Sequence, residues 1–231
     1  MLGIVRYGSL VFFYKSSNLA HDFLSSLSPY TLCRHIQKRT MPDSNYISSQ
    51  KEISWKMRGI LVDWLIEVHN KFRLLPETLY LAVNLIDRFL SVRQVSLNKL
   101  QLVGCTGLFI ACKFEEICCP SVASLVAMVD NGYTDEEMLK AERYVLQVLD
   151  WNVGLYPSPM NFLRRVSKAD HYDIQTRTLA KYLMEHTLVD YRFLPYPPSH
   201  VAAASMLLSR IMLRRHEEWV RYSLILSTTP F

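Results

Sequence analysis

A chain of 231 residues, half of them apolar and a fifth charged, has the side chains for one large core or for two cores of roughly 100 residues each, which excludes extended disorder. Its net charge of +5 comes from Lys and Arg scattered along the chain rather than gathered in a stripe, so no nucleic-acid partner is expected. The five cysteines, at 33, 105, 112, 118 and 119, form no C-x-x-C pair and lie mostly in apolar helical runs, the pattern of reduced thiols in a nuclear or cytosolic protein.

Seven Gly against ten Pro, with few Asn-Gly or Asp-Gly pairs between alternating apolar runs, predict an all-α chain with Pro-marked loops rather than hairpins. At the amino terminus the apolar run from Ser9 to Tyr14 is too short for a signal sequence, and nothing downstream reaches the roughly 20 apolar residues of a membrane span, so no membrane partner is expected. Ser28-Pro29 has the chemistry of a helix start, and a short helix is expected to run to about Lys38 before Pro42. From Gln50 to Arg73 the residues Met57, Ile60, Leu61, Trp64, Leu65, Val68 and Phe72 recur at helical steps along one stripe. Pro76 opens a second helix with Leu79, Ala82, Val83, Ile86, Phe89 and Leu90 on one face, and Ser96 caps the next. That third helix, Leu100 to Phe114, is apolar nearly all round and holds Gly104, Gly107 and Ala111, as suits a hub that neighbours approach closely.

Pro120-Ser121 starts a fourth, short helix, and Thr134 with Glu137 forms a capping box for a fifth that runs to about Leu149. Trp151 to Pro159, ending in Tyr-Pro-Ser-Pro, cannot continue a helix through both prolines and reads as an interdomain linker. A second helical set follows at Met160 to Lys168, Asp173 to Tyr191 and Ser199 to about Arg214. After Arg215 there is room for about one more weak helix, so this second set is expected to be incomplete. The domain reading is a poorly determined segment over 1–40 with a short helix, a first helical domain over 41–150 and an incomplete second one over 151–231.

Catalytic patterns are missing from the sequence. The seven His have no H-E-x-x-H spacing, no G-x-S-x-G or Gly-rich phosphate loop occurs, and pairs such as Glu115-Glu116 read as solvated charge. Neither an enzyme, a cofactor nor a metal site is expected. By periodicity alone Met57, Leu61 and Trp64 belong to a core, and Lys113 and Glu142 are ordinary surface charges.

Two strings change that reading. MRGILVDWLIEVHNKFRLLPETLYLAVNLIDRFL, from Met57 to Leu90, resembles the signature of the cyclin box, and KLQLVGCTGLFIACKFEE, from Lys99 to Glu116, resembles the box's central helix. With PSPMNFLRRVSKAD and the segment Tyr196 to Ser199, the chain is similar to fungal B-type, G2/mitotic-specific cyclins over roughly residues 40 to 214. The resemblance implies two tandem cyclin-box helical domains and a regulatory subunit that binds and activates a mitotic, PSTAIRE-type cyclin-dependent kinase at the G2/M transition, in nucleus and cytoplasm.

It also implies two surfaces. Lys113 and Glu142 would approach each other at the kinase-facing surface, with Phe114, Ile110, Leu146 and Trp151 as its apolar anchor. Met57, Leu61 and Trp64, with Leu100 and Gln101, would line a shallow groove for Arg-x-Leu segments of substrates or inhibitors, and Glu67 would pair with the basic residue of the peptide. Leu97 stands where many animal cyclins have Arg before the Lys-Leu-Gln-Leu run, so peptide preference is expected to differ. The Arg143-Tyr-Val-Leu146 segment matches only the short form of a destruction box and is placed inside the fifth helix, which counts against that role. Two alternatives stay open at this point: a truncated cyclin that binds the kinase without activating it, and a cyclin-fold transcription factor resembling the TFIIB core.

Overall fold

The structure is a computed structural model. It describes residues 33–34, 36–130, 132–169 and 172–215, and the backbone of 2–7 and 10–15. Among the described residues there are eight α-helices: α1 (Trp55–Phe72), α2 (Pro76–Val92), α3 (Leu97–Glu115), α4 (Val122–Val126), α5 (Asp135–Val148), α6 (Pro159–Ala169), α7 (Ile174–Val189) and α8 (Pro198–Met212). The helical chain is preceded by two strands, β1 (Leu2–Tyr7) and β2 (Leu10–Lys15), paired antiparallel with Tyr7 opposite Leu10. No hairpin was expected there. The signal was present in the Gly-Ser pair between two short runs rich in β-branched and aromatic residues. Most of the helix expected from Ser28 lies outside the described residues, as does the weak helix expected after Arg215; what is described of the former, Cys33, Arg34 and Ile36, is helical and runs into a 3-10 turn over Gln37–Arg39.

Helix starts follow side-chain chemistry. Helix α1 begins at Trp55 rather than near Gln50, because the Ser54 hydroxyl accepts from the Met57 amide at 3.4 Å. Gln50 is used elsewhere: its Nε2 donates to the carbonyls of Leu90 and Arg93 at 2.7 Å, and its Oε1 accepts from Val95 N at 3.0 Å, which fixes the turn between α2 and α3. The capping box at Thr134 forms in both directions, Glu137 N to Thr134 Oγ1 at 3.2 Å and Thr134 N to Glu137 Oε2 at 3.0 Å. Helix α7 stops at Val189, and Asp190 then caps a separate 3-10 turn, Tyr191–Phe193, by accepting from the Arg192 amide.

Helix α3 is the hub, and its two glycines show why. A Cβ on Gly104 would lie 2.7 Å from Leu61 Cδ1 of α1, and one on Gly107 would lie 2.6 Å from Ile86 Cγ1 and 3.3 Å from the Ala82 carbonyl of α2. Both neighbours therefore pack directly on the α3 backbone. Leu108, Ala111 and Cys112 between them are fully buried. Packing of α1, α2, α4 and α5 around α3 makes one apolar core.

The second core is shared between the two helical sets. It joins Met160, Phe162, Leu163 and Val166 of α6, Ala180 and Met184 of α7 and Val201, Ala202 and Met206 of α8 to Val62, Leu79, Tyr80 and Val83 on the back of α1 and α2. Helices α6 to α8 thus bury their apolar stripes partly against the first domain. Their outward side leaves Leu207, Leu208, Ile211 and Met212 of α8 exposed among the described residues.

Candidate functional site

Lys113 lies in the last turn of α3, Glu142 sits in the middle of α5, and the packing of these helices brings the two charges together as an ion pair. The carboxylate is buried and the ammonium largely exposed, so the pair is anchored from the Glu142 side. Lys113 Nζ also lies 4.3 Å from the centre of the Phe109 ring, a second restraint on its position. Phe114, next to Lys113 on α3, and Leu146, one turn beyond Glu142 on α5, are half-buried against the core. Trp151 is 66% exposed on a backbone with φ of 60°, directly after Asp150 at φ 52°, and its amide donates to the Leu146 carbonyl at 2.9 Å. Two successive non-glycine residues in the left-handed region store strain of about 1–3 kcal/mol each, and the indole of Trp151 is left exposed just beyond α5.

Ile110 does not share that surface. It is 4% exposed and belongs to the core, since α3 is buried on nearly every side at that level. Ile117, three residues beyond Phe114 and fully exposed, was not singled out from the sequence although it follows the Lys-Phe-Glu-Glu run directly. In the same run Glu116 accepts from the Leu75 amide and the Thr78 hydroxyl at the start of α2. Its neighbour Glu115 has its carboxyl pushed up to about 7, by burial first and then by Glu77, against the opposing pull of Arg164.

The groove residues divide in the same way. Met57 and Trp64 are half-buried and Glu67 and Gln101 exposed, on the face that α1 shares with the start of α3. Leu61 and Leu100 are each 5% exposed and act as core, Leu61 because the missing side chain of Gly104 draws it against α3. Ile60, 62% exposed, stands between Met57 and Trp64 at i+3 and i−4, so this face is more apolar than the expected set. Leu97 is 49% exposed at the first position of α3. Gln101 and Lys113 are twelve residues apart on one helix, which separates the two surfaces by about 18 Å.

One buried constellation was missed altogether. Arg58 of α1 is 1% exposed and donates through Nε and Nη2 to the two carboxylate oxygens of Asp87 at 2.8 and 2.7 Å. Its Nη1 reaches the carbonyls of Leu188 and Val189, at the end of α7, at 2.8 and 3.2 Å. The Tyr46 hydroxyl donates to Asp87 at 2.8 Å, and stacking of Trp55 on Tyr191 at 4.6 Å closes the same junction. Burial opposes the charge on Arg58, but Asp87 outweighs it and holds the guanidinium above its ordinary pKa. The sequence carried a signal: a charge at position 87 inside the apolar run of α2, and another at 58 inside the stripe of α1.

These helices and residues coincide with what sequence comparison finds. The model of the cyclin amino-terminal domain matches residues 29–154, and that of the cyclin carboxy-terminal domain matches residues 157–224. The chain belongs to the cyclin family. Among curated relatives, the G2/mitotic-specific cyclin cdc13 of Schizosaccharomyces pombe is 65% identical over 180 residues, covering 78% of this chain and 37% of the relative. The G2/mitotic-specific cyclin-B of Emericella nidulans is 58% identical over 197 residues, covering 85% of this chain and 41% of the relative. This cyclin chain therefore spans about two-fifths of the length of those relatives. Of solved structures, a viral cyclin from herpesvirus saimiri shares the fold with a TM-score of 0.74 at 21% identity, covering 86% of this chain and 90% of that one. The cyclin architecture is thus kept at low identity, while the sequence itself is close to fungal mitotic cyclins.

Proposed function

We propose that this cyclin is a regulatory subunit that binds and activates a mitotic, PSTAIRE-type cyclin-dependent kinase at the G2/M transition, in nucleus and cytoplasm, and that it takes no part in the chemistry itself. The observation that supports this reading is the Lys113–Glu142 ion pair between α3 and α5, with half-buried Phe114 next to Lys113 in the chain, half-buried Leu146 one turn beyond Glu142, and Trp151 exposed just past the end of α5. A charge fixed on a packed helix pair offers a partner backbone a hydrogen-bond register, and the apolar groups around it supply the buried area. Activation then needs no moving part in the cyclin. A kinase whose αC helix exchanges between an outward and an inward position is shifted inward by any ligand that binds the inward form more tightly, which completes the Lys–Glu ion pair that positions the ATP phosphates.

Recruitment of Arg-x-Leu segments of substrates or inhibitors belongs to the same proposal, on the face that holds Met57, Ile60 and Trp64 with Glu67 and Gln101 at its edge. The deciding experiment mixes the purified chain with a monomeric cyclin-dependent kinase and measures complex formation and histone phosphorylation together. Both should rise with cyclin concentration. A complex without phosphorylation would instead support binding without activation, and no complex at micromolar concentrations would overturn the proposal.

A further inference from the structure

Neither candidate surface uses a cysteine, yet the fold brings two of the thiols into contact. Cys112 lies in the last turn of α3 and is fully buried, and Cys119 is half-buried on the chain that follows. The cause is local. The Glu116 amide donates to the Cys112 carbonyl at 2.9 Å as the helix ends, Ile117 and Cys118 stand out into solvent, and Cys119 returns to pack on the core that holds Cys112. There the Cys112 thiol donates to Cys119 Sγ, and the Cys119 thiol donates in turn to the Pro120 carbonyl at 3.4 Å. A lone pair of Cys119 therefore faces Cys112, and a disulfide asks only that these two sulfurs close from contact to bond length.

The other cysteines are placed differently. Cys105 is about 10 Å back along the axis of α3, and its thiol donates to the Leu125 carbonyl at 3.6 Å. Cys33 belongs to the second core, and Cys118 lies on the outward bend. Access to the contacting pair is one-sided: a small oxidant reaches Cys119 from solvent, whereas Cys112 is met only by its neighbours inside the protein. Burial holds the Cys119 thiol above its ordinary pKa against the pull of Lys113, and burial pushes the Cys112 thiol up as well. The resting pair is thus protonated, and it reacts under sustained oxidant rather than at trace levels.

We propose that Cys112 and Cys119 form a reversible oxidation site, in which a peroxide oxidises Cys119 and Cys112 then closes a disulfide across the end of α3. As its thiolate, Cys119 attacks one peroxide oxygen; the O–O bond breaks, the sulfur becomes a sulfenic acid, and the other oxygen leaves as water with the thiol proton. The Cys112 thiol attacks that sulfur, the S–S bond forms, and the hydroxyl leaves as a second water with the Cys112 proton. Two thiols are oxidised and one peroxide is reduced to water. An external thiol reverses the bond, and in a compartment that keeps thiols reduced such a bond is transient and redox-sensing. The loop it closes carries Lys113 and Phe114.

The test treats the full, reduced chain with hydrogen peroxide in mildly alkaline buffer, blocks the remaining thiols with iodoacetamide in urea, and maps tryptic peptides by mass spectrometry. The peptide ending at Lys113 should be joined to the one beginning at Phe114, about 2 Da below the sum of their reduced masses, and dithiothreitol should separate them. Fragmentation should place the link at Cys112 and Cys119. Cys118→Ser, at an exposed position, should give the same link, and Cys119→Ser should give none. Cys112→Ser should carry a dimedone adduct at Cys119, the trapped sulfenic acid. A link through Cys105 or Cys118, a sulfinic acid at Cys119 with Cys112 still alkylated, or full alkylation of both residues would overturn the proposal. No kinase enters the experiment, so its outcome is independent of the proposed activity.

Discussion

Lys113 and Glu142 form one ion pair but are not equivalent. Deleting Glu142 leaves an exposed ammonium that water can serve, while deleting Lys113 leaves a buried carboxylate without its cation. Lys113→Ala should therefore lower unfolding stability by about 1–3 kcal/mol and Glu142→Ala by less, as measured by urea denaturation. Both should weaken kinase association by about 2 kcal/mol or more in a titration, and unchanged affinity in both would remove the pair from the interface. Glu115 gives a pH signature. Its carboxyl, normally at 4.5, is pushed up to about 7, so between those values the folded chain keeps a proton that the unfolded chain has released. Ionising it then costs stability: the cost is absent below about 4.5, grows as pH rises, and is complete above about 7. Glu115→Gln should abolish that decline, a gain on the order of 1–3 kcal/mol at pH 7.5 with little change at pH 4.5. A parallel pH profile for variant and parent would show that Glu115 titrates normally.

At the scale of elements, α3 is defined by what its neighbours press against. Gly107→Ala places a Cβ against Ile86 and the Ala82 carbonyl, and the backbone oxygen cannot yield. Overpacking of about 1–3 kcal/mol should exceed the roughly 1 kcal/mol gained in helix propensity, so the variant should be destabilised. Gly104→Ala has its three nearest contacts all on the Leu61 side chain, Cδ1 at 2.7 Å and Cγ at 3.3 Å, and no backbone atom among them, so it should be destabilised less than Gly107→Ala. Equal melting temperatures for the two variants would contradict this account of the hub. The same helix joins the two candidate surfaces, and its length keeps them apart. Trp64→Ala is expected to reduce binding of Arg-x-Leu peptides at least tenfold while leaving kinase activation within about twofold, the truncation of an aromatic anchor being worth about 2 kcal/mol. Equal losses in both assays would mean that Trp64 supports the fold rather than a groove.

For the whole molecule, Arg58 is the link that matters. Its guanidinium ties α1 to α2 through Asp87 and to the end of α7 through two carbonyls, so one side chain sets how the second helical set lies on the first. Arg58→Ala would leave Asp87 buried without a counter-charge and both carbonyls without a donor, at a cost of about 3–5 kcal/mol. The expected result is a large fall in the urea midpoint. A change under about 1 kcal/mol would show that the junction is held by the apolar core instead. Since Val62, Leu79, Tyr80 and Val83 of the first set complete the core of the second, the two are expected to unfold together.

Helix positions, the capping box at Thr134 and the close approach at Gly104 and Gly107 were legible in the sequence, because caps, prolines and small residues act within a few positions of themselves. So was the cyclin family, which is encoded in long strings rather than in geometry. The sequence also named Lys113 and Glu142 as partners, although only through that resemblance. What the tertiary structure alone decided is which member of each stripe faces outward. Leu61, Leu100 and Ile110 went to the core while Ile60, Ile117 and Trp151 stayed exposed. Periodicity fixes the face of a helix, but how much of that face is covered depends on neighbours far away in the chain, as Arg58 with Leu188 makes plain over 130 positions.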